Sequence, residues 1–231
     1  MNIKDDLEKT LARSIVKIIQ EPLLYFSEAD VQQELCDSIK TIKSLKKLYP
    51  TAVRKGKNSK TSYKTSAVHR EYGIGDNSRM DITILNPKNI KYIDSPNLTT
   101  NNKYLKIEYG IEVGTEKSPD TFTHLKNDIS KLKKCKKIGY LIYIFKDITQ
   151  AQSGSKSRDR TEEKIKNNFK NVIADNLPLN GKIKVITVLL RCYRNQVRMR
   201  GKCEIFVEGE WKKVNVNNKN AIYSTILQVM K

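Results

Sequence analysis

Residues 109–117 read YGIEVGTEK and belong to the segment that decides the fold. Across residues 107–114, four apolar residues alternate with two glutamates and two glycines, which is the period of a β-strand with one buried face. The apolar side holds Ile107, Tyr109, Ile111 and Val113, and the other side holds Glu108, Gly110, Glu112 and Gly114. Glycine inside a strand usually marks a bulge or the close approach of another group. The pattern therefore predicts that something binds beside Glu112, the alternative being a bulge around a buried structural glutamate.

Helical and extended patterns alternate on both sides of this strand. Apolar residues at helical spacing predict helices at 5–19, 27–45, 118–132 and 161–176 and at the C-terminal end of the chain. Extended patterns predict strands at 67–74, 79–85, 138–145 and 182–193 and a hairpin at 202–216. The polar stretches 53–63 and 146–160 are predicted to be loops. This order predicts an α/β fold around a mixed sheet.

The charge balance indicates a polyanionic partner. The 231 residues include 44 lysines and arginines against 25 acids, a formal net charge of +19. Such an excess attracts nucleic acid in a salt-dependent way. The alternative is that many of the lysines only solvate the surface.

Several classes of protein lack support in the sequence. No apolar run approaches the ~20 residues that span a bilayer, and the first residues lack the apolar core of a signal peptide. We therefore expect a cytoplasmic protein that does not enter a membrane. The four cysteines form no C-x-x-C pair and there are two histidines, which gives no support to a zinc ribbon or a histidine-based metallohydrolase.

Two carboxylates lie on neighbouring predicted strands. Asp81 falls on the less apolar side of strand 79–85, as Glu112 does on the strand that follows. Two adjacent acids in a basic protein repel each other and a phosphate backbone unless a cation bridges them. Because Mg²⁺ binds through one or two carboxylates and also contacts phosphate oxygens, the pair predicts a magnesium site that accepts Mn²⁺ as a substitute.

A third acid, Glu34, lies on the helix that begins at Ser27. Ser27 and Asp30 have the spacing of a capping box, which predicts the start of this helix. Glu34 follows Val31 by one turn, so it lies at the edge of the apolar stripe and can point along the core-facing surface. We expect it to bind or orient a metal-bound water, the alternative being a solvated helix glutamate.

These residues resemble the PD-(D/E)XK nuclease superfamily, which includes many restriction endonucleases. The resemblance covers residues 27–145 and depends on the helix of Glu34, the strand RMDITIL with Asp81 and the strand GIEVG with Glu112. It implies a restriction endonuclease-like core, a mixed four-stranded sheet flanked by helices, with a C-terminal strand, hairpin and helix as additions. It also implies Mg²⁺-dependent hydrolysis of phosphodiester bonds, with Asp81, Glu112 and Glu34 as metal ligands.

The chain departs from the superfamily pattern at Gly114, which stands where the motif lysine is expected. By the resemblance, Lys117 or Lys126 takes its place, and Gly114 leaves room for that lysine beside the metal and the phosphate. Glu116 is a further candidate ligand, whereas Lys106 lies about 20 Å along the strand and is set aside. The alternative is that Gly114 marks a lost active site in a protein that only binds DNA.

The leading hypothesis is a type II-like restriction endonuclease that acts on double-stranded DNA. Residues 1–231 form one nuclease-like domain, with a catalytic core at 27–145 and an extension at 146–231 for DNA recognition or dimerisation as a homodimer. Arginines in the extension and lysines in the loop 53–63 are expected to contact DNA: Arg191, Arg194, Arg198, Arg200, Lys57 and Lys60. The alternatives are a non-catalytic DNA-binding module on the same fold and a junction- or end-processing repair nuclease.

Overall fold

The computed structural model describes residues 2–25, 27–55, 59–75, 78–86, 90, 107–115, 122–149, 156–177, 181–193 and 202–230. Its helices are α1 (Ile3–Gln20), α2 (Glu28–Lys40), α3 (Phe122–Leu132), α4 (Lys156–Asn176) and α5 (Lys219–Met230), with a short 3-10 helix at Pro22–Leu24. Its strands are β1 (Tyr49–Lys55), β2 (Ser59–Thr65), β3 (Val68–Gly75), β4 (Ser78–Leu85), β5 (Ile107–Gly114), β6 (Ile138–Thr149), β7 (Ile183–Tyr193), β8 (Cys203–Val207) and β9 (Glu210–Val214).

Seven of the strands form one mixed sheet in the order β3-β4-β5-β6-β7-β8-β9. Strands β5, β6 and β7 run parallel, and the remaining pairs are antiparallel. The predicted α/β class with a mixed, helix-flanked sheet is confirmed. The predicted count of four strands is wrong, because the strand 182–193 and the hairpin 202–216 continue the same sheet. The predicted boundary between core and extension at residues 145 and 146 falls inside β6.

Two layers of helices cover the sheet, and two tyrosines of β6 identify them. The Tyr140 hydroxyl contacts Glu8 of α1, whereas the Tyr143 hydroxyl contacts Asp128 of α3. Because successive side chains of a strand point to opposite faces, α1 and α3 lie on opposite sides of the sheet. Helices α2 and α5 pack beside α1, and Phe169 of α4 contacts Tyr143 on the α3 side.

Helix α2 begins where the sequence predicts. Ser27 accepts a hydrogen bond from the Asp30 backbone N–H, and the Asp30 carboxylate accepts one from the Ser27 backbone N–H, which completes the capping box. The helix ends at Lys40, earlier than the predicted residue 45. Thr41 and Ile42 donate to carbonyls three residues back, so the chain tightens there while Ile42 and Leu45 stay buried.

Both predicted loops contain regular structure. Strands β1 and β2 pair as an antiparallel two-stranded sheet where the loop 53–63 was predicted. Strand β6 continues to Thr149, where it pairs with Tyr193 of β7, and α4 begins at Lys156, so the predicted loop 146–160 is also wrong. In both places backbone pairing or helix formation extends into polar sequence that carries no apolar period. None of the helices in the described part of the chain is long and apolar enough to cross a membrane.

Candidate functional site

Four ionisable side chains meet on the α3 side of the sheet and form what we call the Glu112 cluster: Asp81, Glu112, Asp128 and Lys131. Asp81 of β4 and Glu112 of β5 each lie one residue beyond the paired residues Ile82 and Ile111. Helix α3 supplies Asp128 and Lys131 from the layer that covers these strands. The sheet register and the β5-α3-β6 crossover therefore bring together three carboxylates and one ammonium group.

Lys131 is the cation of the cluster. Its Nζ lies 2.5 Å from Glu112 Oε2 and 2.9 Å from Asp128 Oδ1. Helical side chains point toward the N-terminal end of their helix. Lys131 lies in the last turn of α3, and its side chain extends toward the start of the helix to reach Glu112. Burial opposes the charge of the ammonium, but the carboxylates of Glu112 and Asp128 outweigh it and raise the pKa of Lys131.

Asp128 connects the cluster to the next strand. Its Oδ2 accepts a hydrogen bond of 2.6 Å from the Tyr143 hydroxyl, while its Oδ1 faces Lys131. Both oxygens of this buried carboxylate are therefore engaged by the protein. Asp128 holds Lys131 and is itself held by Tyr143.

Asp81 is fixed by the backbone of the neighbouring strand. Its Oδ2 accepts a hydrogen bond of 2.7 Å from the Val113 N–H. The side chain is buried, and burial raises the pKa of Asp81 to about 6. The carboxyl group therefore takes up a proton under only mildly acidic conditions.

Glu112 is the most deeply buried member, with 1% of its side chain exposed. Burial raises its pKa strongly, and the carboxylates of Asp81 and Asp128 add to that rise, against the effect of Lys131. Its Oε1 has no hydrogen-bond partner. Since a buried polar oxygen is normally satisfied, a bound ligand would supply the partner that this atom lacks.

The two strand glycines of β5 make room for core side chains. A Cβ at Gly110 would collide with the sulfurs of Met80 and Cys135, and a Cβ at Gly114 would lie 2.5–2.8 Å from three atoms of the Tyr143 ring. The interpretation that these glycines leave space for a metal, a phosphate and a reaching lysine is therefore wrong. Close approach was the correct reason for the glycines, but the group that approaches Gly114 is an aromatic ring.

Two other predicted catalytic residues, Lys126 and Glu34, are described by the structure and make no described contact with the cluster. Lys126 is exposed on α3, and Lys117 and Glu116 are outside the described residues. The Glu34 carboxylate accepts from Lys17 at 2.7 Å, Tyr25 at 3.1 Å and Ser38 at 3.1 Å. These partners belong to the helical layer of α1 and α2, and none of its described contacts joins Glu34 to Asp81 or Glu112. Its role as a metal ligand stays a prediction.

Of the predicted DNA contacts, Arg191 has a described side chain. Its Nε and Nη2 donate to Glu162 Oε1 at 2.9 and 2.7 Å, so its guanidinium is engaged inside the protein. Lys60 lies in β2. Lys57, Arg194, Arg198 and Arg200 lie outside the described residues.

Sequence reasoning missed Asp128, Lys131 and Tyr143. A signal for the first was present, because Asp128 falls within the apolar stripe of Leu125, Ile129 and Leu132, where a buried acid needs a partner. Lys131 follows Asp128 by three residues, a spacing that allows an ion pair. The sequence contains no corresponding signal for Tyr143, one of two tyrosines in an apolar strand.

The chemistry of the cluster suits a hard cation. No group of three or more His, Cys, Asp or Glu placed to hold a metal ion is found in the described part of the chain. Asp81 and Glu112 remain as a carboxylate pair with one unpartnered oxygen, which fits Mg²⁺ because this ion commonly takes one or two carboxylates and completes its shell with water and phosphate oxygens.

Comparison of the chain with protein families, with characterised proteins and with solved structures gives no match.

Proposed function

We propose that this protein is a metal-dependent DNA endonuclease that hydrolyses phosphodiester bonds. One observation carries the proposal: Asp81, Glu112 and Lys131 converge on one face of the sheet, and Glu112 keeps an unpartnered buried oxygen. Two carboxylates can hold a divalent ion, and a nearby lysine can stabilise negative charge that develops on a phosphate during hydrolysis. The net charge of +19 supplies the attraction to a polyanionic substrate.

Asp81 and Glu112 would hold the ion. Asp81 is prepared for this by the Val113 N–H, which fixes one oxygen, and Glu112 by Lys131, which fixes Oε2 and leaves Oε1 free. When bound, a divalent ion lowers the pKa of a water molecule and offsets charge at the scissile phosphate. It also favours the ionised forms of both carboxyl groups, whose pKa values are raised in its absence.

Lys131 would take the role of the motif lysine. Its ammonium is held within the cluster by Glu112 and Asp128 and stays protonated, because these neighbours raise its pKa. In the reaction, a water molecule would lose a proton to solvent and its oxygen would attack phosphorus. The P–O bond to the leaving sugar oxygen would break, and that oxygen would take up a proton from solvent. Lys131 provides a fixed positive charge for the phosphate oxygens as negative charge develops on them.

We further propose a type II-like restriction enzyme that acts on duplex DNA as a homodimer, since a two-fold assembly matches the cutting of both strands. Arg194, Arg198, Arg200, Lys57 and Lys60 remain its proposed DNA contacts. One observation favours a second candidate, a non-catalytic DNA-binding module. Lys131 Nζ lies 2.5 Å from Glu112 Oε2, which is the contact expected if this ion pair only stabilises the fold.

The test is a cleavage assay on plasmid and branched DNA with Mg²⁺ or Mn²⁺. We expect discrete fragments from the native protein, none from Glu112→Ala, and single-turnover cleavage slowed by about 100-fold but still measurable from Lys131→Met. Sequence-defined fragments would support restriction, and a preference for branched DNA would favour repair. DNA bound but never cut, with an affinity that divalent ions do not change, would overturn the nuclease proposal in favour of the binding module.

Lys126→Met provides the comparison within the same helix. Lys126 is exposed, whereas Lys131 contacts Glu112, so we expect Lys126→Met to cleave at the native rate. Loss of cleavage in Lys126→Met with cleavage retained in Lys131→Met would show that the wrong lysine has been assigned.

A further inference from the structure

We propose that Asp128 and Tyr143 are positioning residues for Lys131, and that Gly114 is the third member of this arrangement. The inference deepens the proposed nuclease function. It identifies the residues that allow a lysine from a helix to serve where the usual motif has a lysine from the strand.

The contacts form a continuous chain from Tyr143 to Glu112. The Tyr143 hydroxyl donates to Asp128 Oδ2 at 2.6 Å, Asp128 Oδ1 lies 2.9 Å from Lys131 Nζ, and Lys131 Nζ lies 2.5 Å from Glu112 Oε2. Tyr143 is 2% exposed and Glu112 is 1% exposed, so both ends of the chain are buried. The first contact is made by Tyr143, an uncharged side chain that cannot itself offset the charge of the cluster.

A lysine needs such support more than most residues do. Its stem has four rotatable bonds, and its ammonium is a compact charge without a directional fork. Contact with Glu112 alone would leave the ammonium free to swing around one oxygen. Asp128 adds a second anchor from one turn earlier in α3, and Tyr143 fixes the orientation of that anchor relative to β6.

Gly114 is what allows Tyr143 to reach Asp128. Glu112 and Gly114 pair with Leu141 and Tyr143 across the parallel β5–β6 ladder. Any Cβ at position 114 would lie 2.5 Å from the nearest atom of the Tyr143 ring. A lysine at 114 and this placement of Tyr143 therefore exclude each other. The glycine at 114 thus accompanies the use of Lys131, a lysine of the helix, instead of a lysine of the strand.

The same strand offers a matched control. Tyr140 is also buried on β6, and its hydroxyl also contacts a carboxylate, Glu8 of α1, at 3.2 Å on the opposite face of the sheet. Tyr140→Phe and Tyr143→Phe remove the same atom from the same strand. Only Tyr143→Phe interrupts the contacts that lead to Lys131.

The test is a double-mutant cycle on the single-turnover cleavage rate with Mg²⁺. Tyr143→Phe and Asp128→Asn should each slow cleavage by about 10-fold or more, the range for loss of an outer-shell partner. Each should have no further effect when added to Lys131→Met, because the support acts through Lys131. Tyr140→Phe should cleave at the native rate, and DNA affinity measured with Ca²⁺ should be the same in all variants.

A second readout does not need cleavage. Urea denaturation of the same variants should show coupling between Tyr143→Phe and Lys131→Met and additivity between Tyr140→Phe and Lys131→Met. Equal losses from Tyr140→Phe and Tyr143→Phe, or additive losses of rate with Lys131→Met, would overturn the positioning role. If Glu112→Ala abolishes cleavage while Tyr143→Phe and Asp128→Asn cleave normally, the inference fails alone. If the native protein never cleaves, the proposed function fails, and the urea cycle still decides whether the contacts are coupled.

Discussion

Two buried groups of charged side chains lie under α3 and α4, and they differ in charge balance. The Glu112 cluster has three carboxylates and one ammonium group. The second group, here the Glu204 cluster, contains Glu162, Lys166, Arg191, Lys202 and Glu204, with three cations for two carboxylates. Negative charge is in excess in the Glu112 cluster and positive charge in the Glu204 cluster, so the pKa values of their carboxyl groups shift in opposite directions.

The contrast shows in single carboxyl groups of similar burial. Burial opposes ionisation of Glu204, but Lys166 at 2.6 Å and Lys202 at 3.2 Å outweigh it and lower its pKa. In Glu112, burial and the neighbouring acids outweigh Lys131 and raise the pKa. A group that is fully compensated by the protein contributes to stability, whereas a group left short of positive charge is prepared for a cation from outside.

The largest expected effect separates activity from stability at the Glu112 cluster. Glu112→Gln should reduce cleavage by about 1,000-fold, because the several kcal/mol that a bound ion supplies correspond to that factor. It should leave the free energy of unfolding unchanged or higher, because an undercompensated buried acid is removed. Cleavage kinetics and urea denaturation of the same preparation test both parts, and a less stable variant would contradict the comparison.

The next effect reverses that pattern at the Glu204 cluster. Lys166→Met should lower the free energy of unfolding by about 3 kcal/mol, because it removes one partner of a buried ion pair. Cleavage per folded molecule should stay at the native rate. Urea denaturation measures the loss, and reduced cleavage at a temperature where the variant is fully folded would show that the two clusters are not independent.

A third effect, of at most similar size, depends on pH. The pKa of Asp81 is about 6 in the folded protein and 3.8 as its ordinary value, so without metal the folded state holds a proton that the unfolded chain has lost. The contribution of Asp81 to the stability of the native protein therefore falls as pH rises from about 4 to 6. Asp81→Asn should be more stable than the native protein by up to about 3 kcal/mol above pH 6 and equal to it near pH 4.

Urea denaturation between pH 4 and pH 8 in the presence of a chelator measures this difference. Added Mg²⁺ should stabilise the native protein more at pH 8 than at pH 6, because the ion competes with protons for the carboxylates. A difference between the two proteins that does not vary with pH would contradict the raised pKa.

The smallest effect concerns the rim of the Glu204 cluster. Glu163 lies 2.9 Å from Lys166, but its side chain is 61% exposed. Glu163→Ala should change the free energy of unfolding by less than about 0.5 kcal/mol, as is usual for exposed pairs. A loss of unfolding free energy close to that of Lys166→Met would show that the exposure of Glu163 does not predict how little its ion pair contributes to stability.

The elements predicted correctly are those whose burial leaves a period in the sequence. Strand β5 and helix α2 follow from alternation and from the capping box of Ser27, which are local properties. The hairpin of β1 and β2 has few apolar residues, so nothing in its sequence distinguishes it from a loop. The candidate site was predicted in part for the same reason: Asp81 and Glu112 lie on patterned strands, whereas the choice of Lys131 over Lys126 depends on how α3 packs.

Gly114 shows where local reasoning ends. The missing side chain indicated a close approach, which is a local property of the strand. The identity of the approaching ring depends on the parallel register that places Tyr143 beside position 114. Such a register depends on contacts between residues far apart in the sequence, which no local pattern specifies.

The edges of the sheet bear on how two copies of this chain can associate. Strand β9, at one end of the sheet, exposes Lys212 and Lys213. Strand β3, at the other end, has a register shift near Gly73 and a left-handed residue, Glu71, with φ of 49°. Charged side chains and irregular backbone on edge strands discourage further strand pairing. The proposed homodimer is therefore expected to form through helices or loops rather than as a continuous intermolecular sheet, and the same edges protect the chain from growing into fibrils.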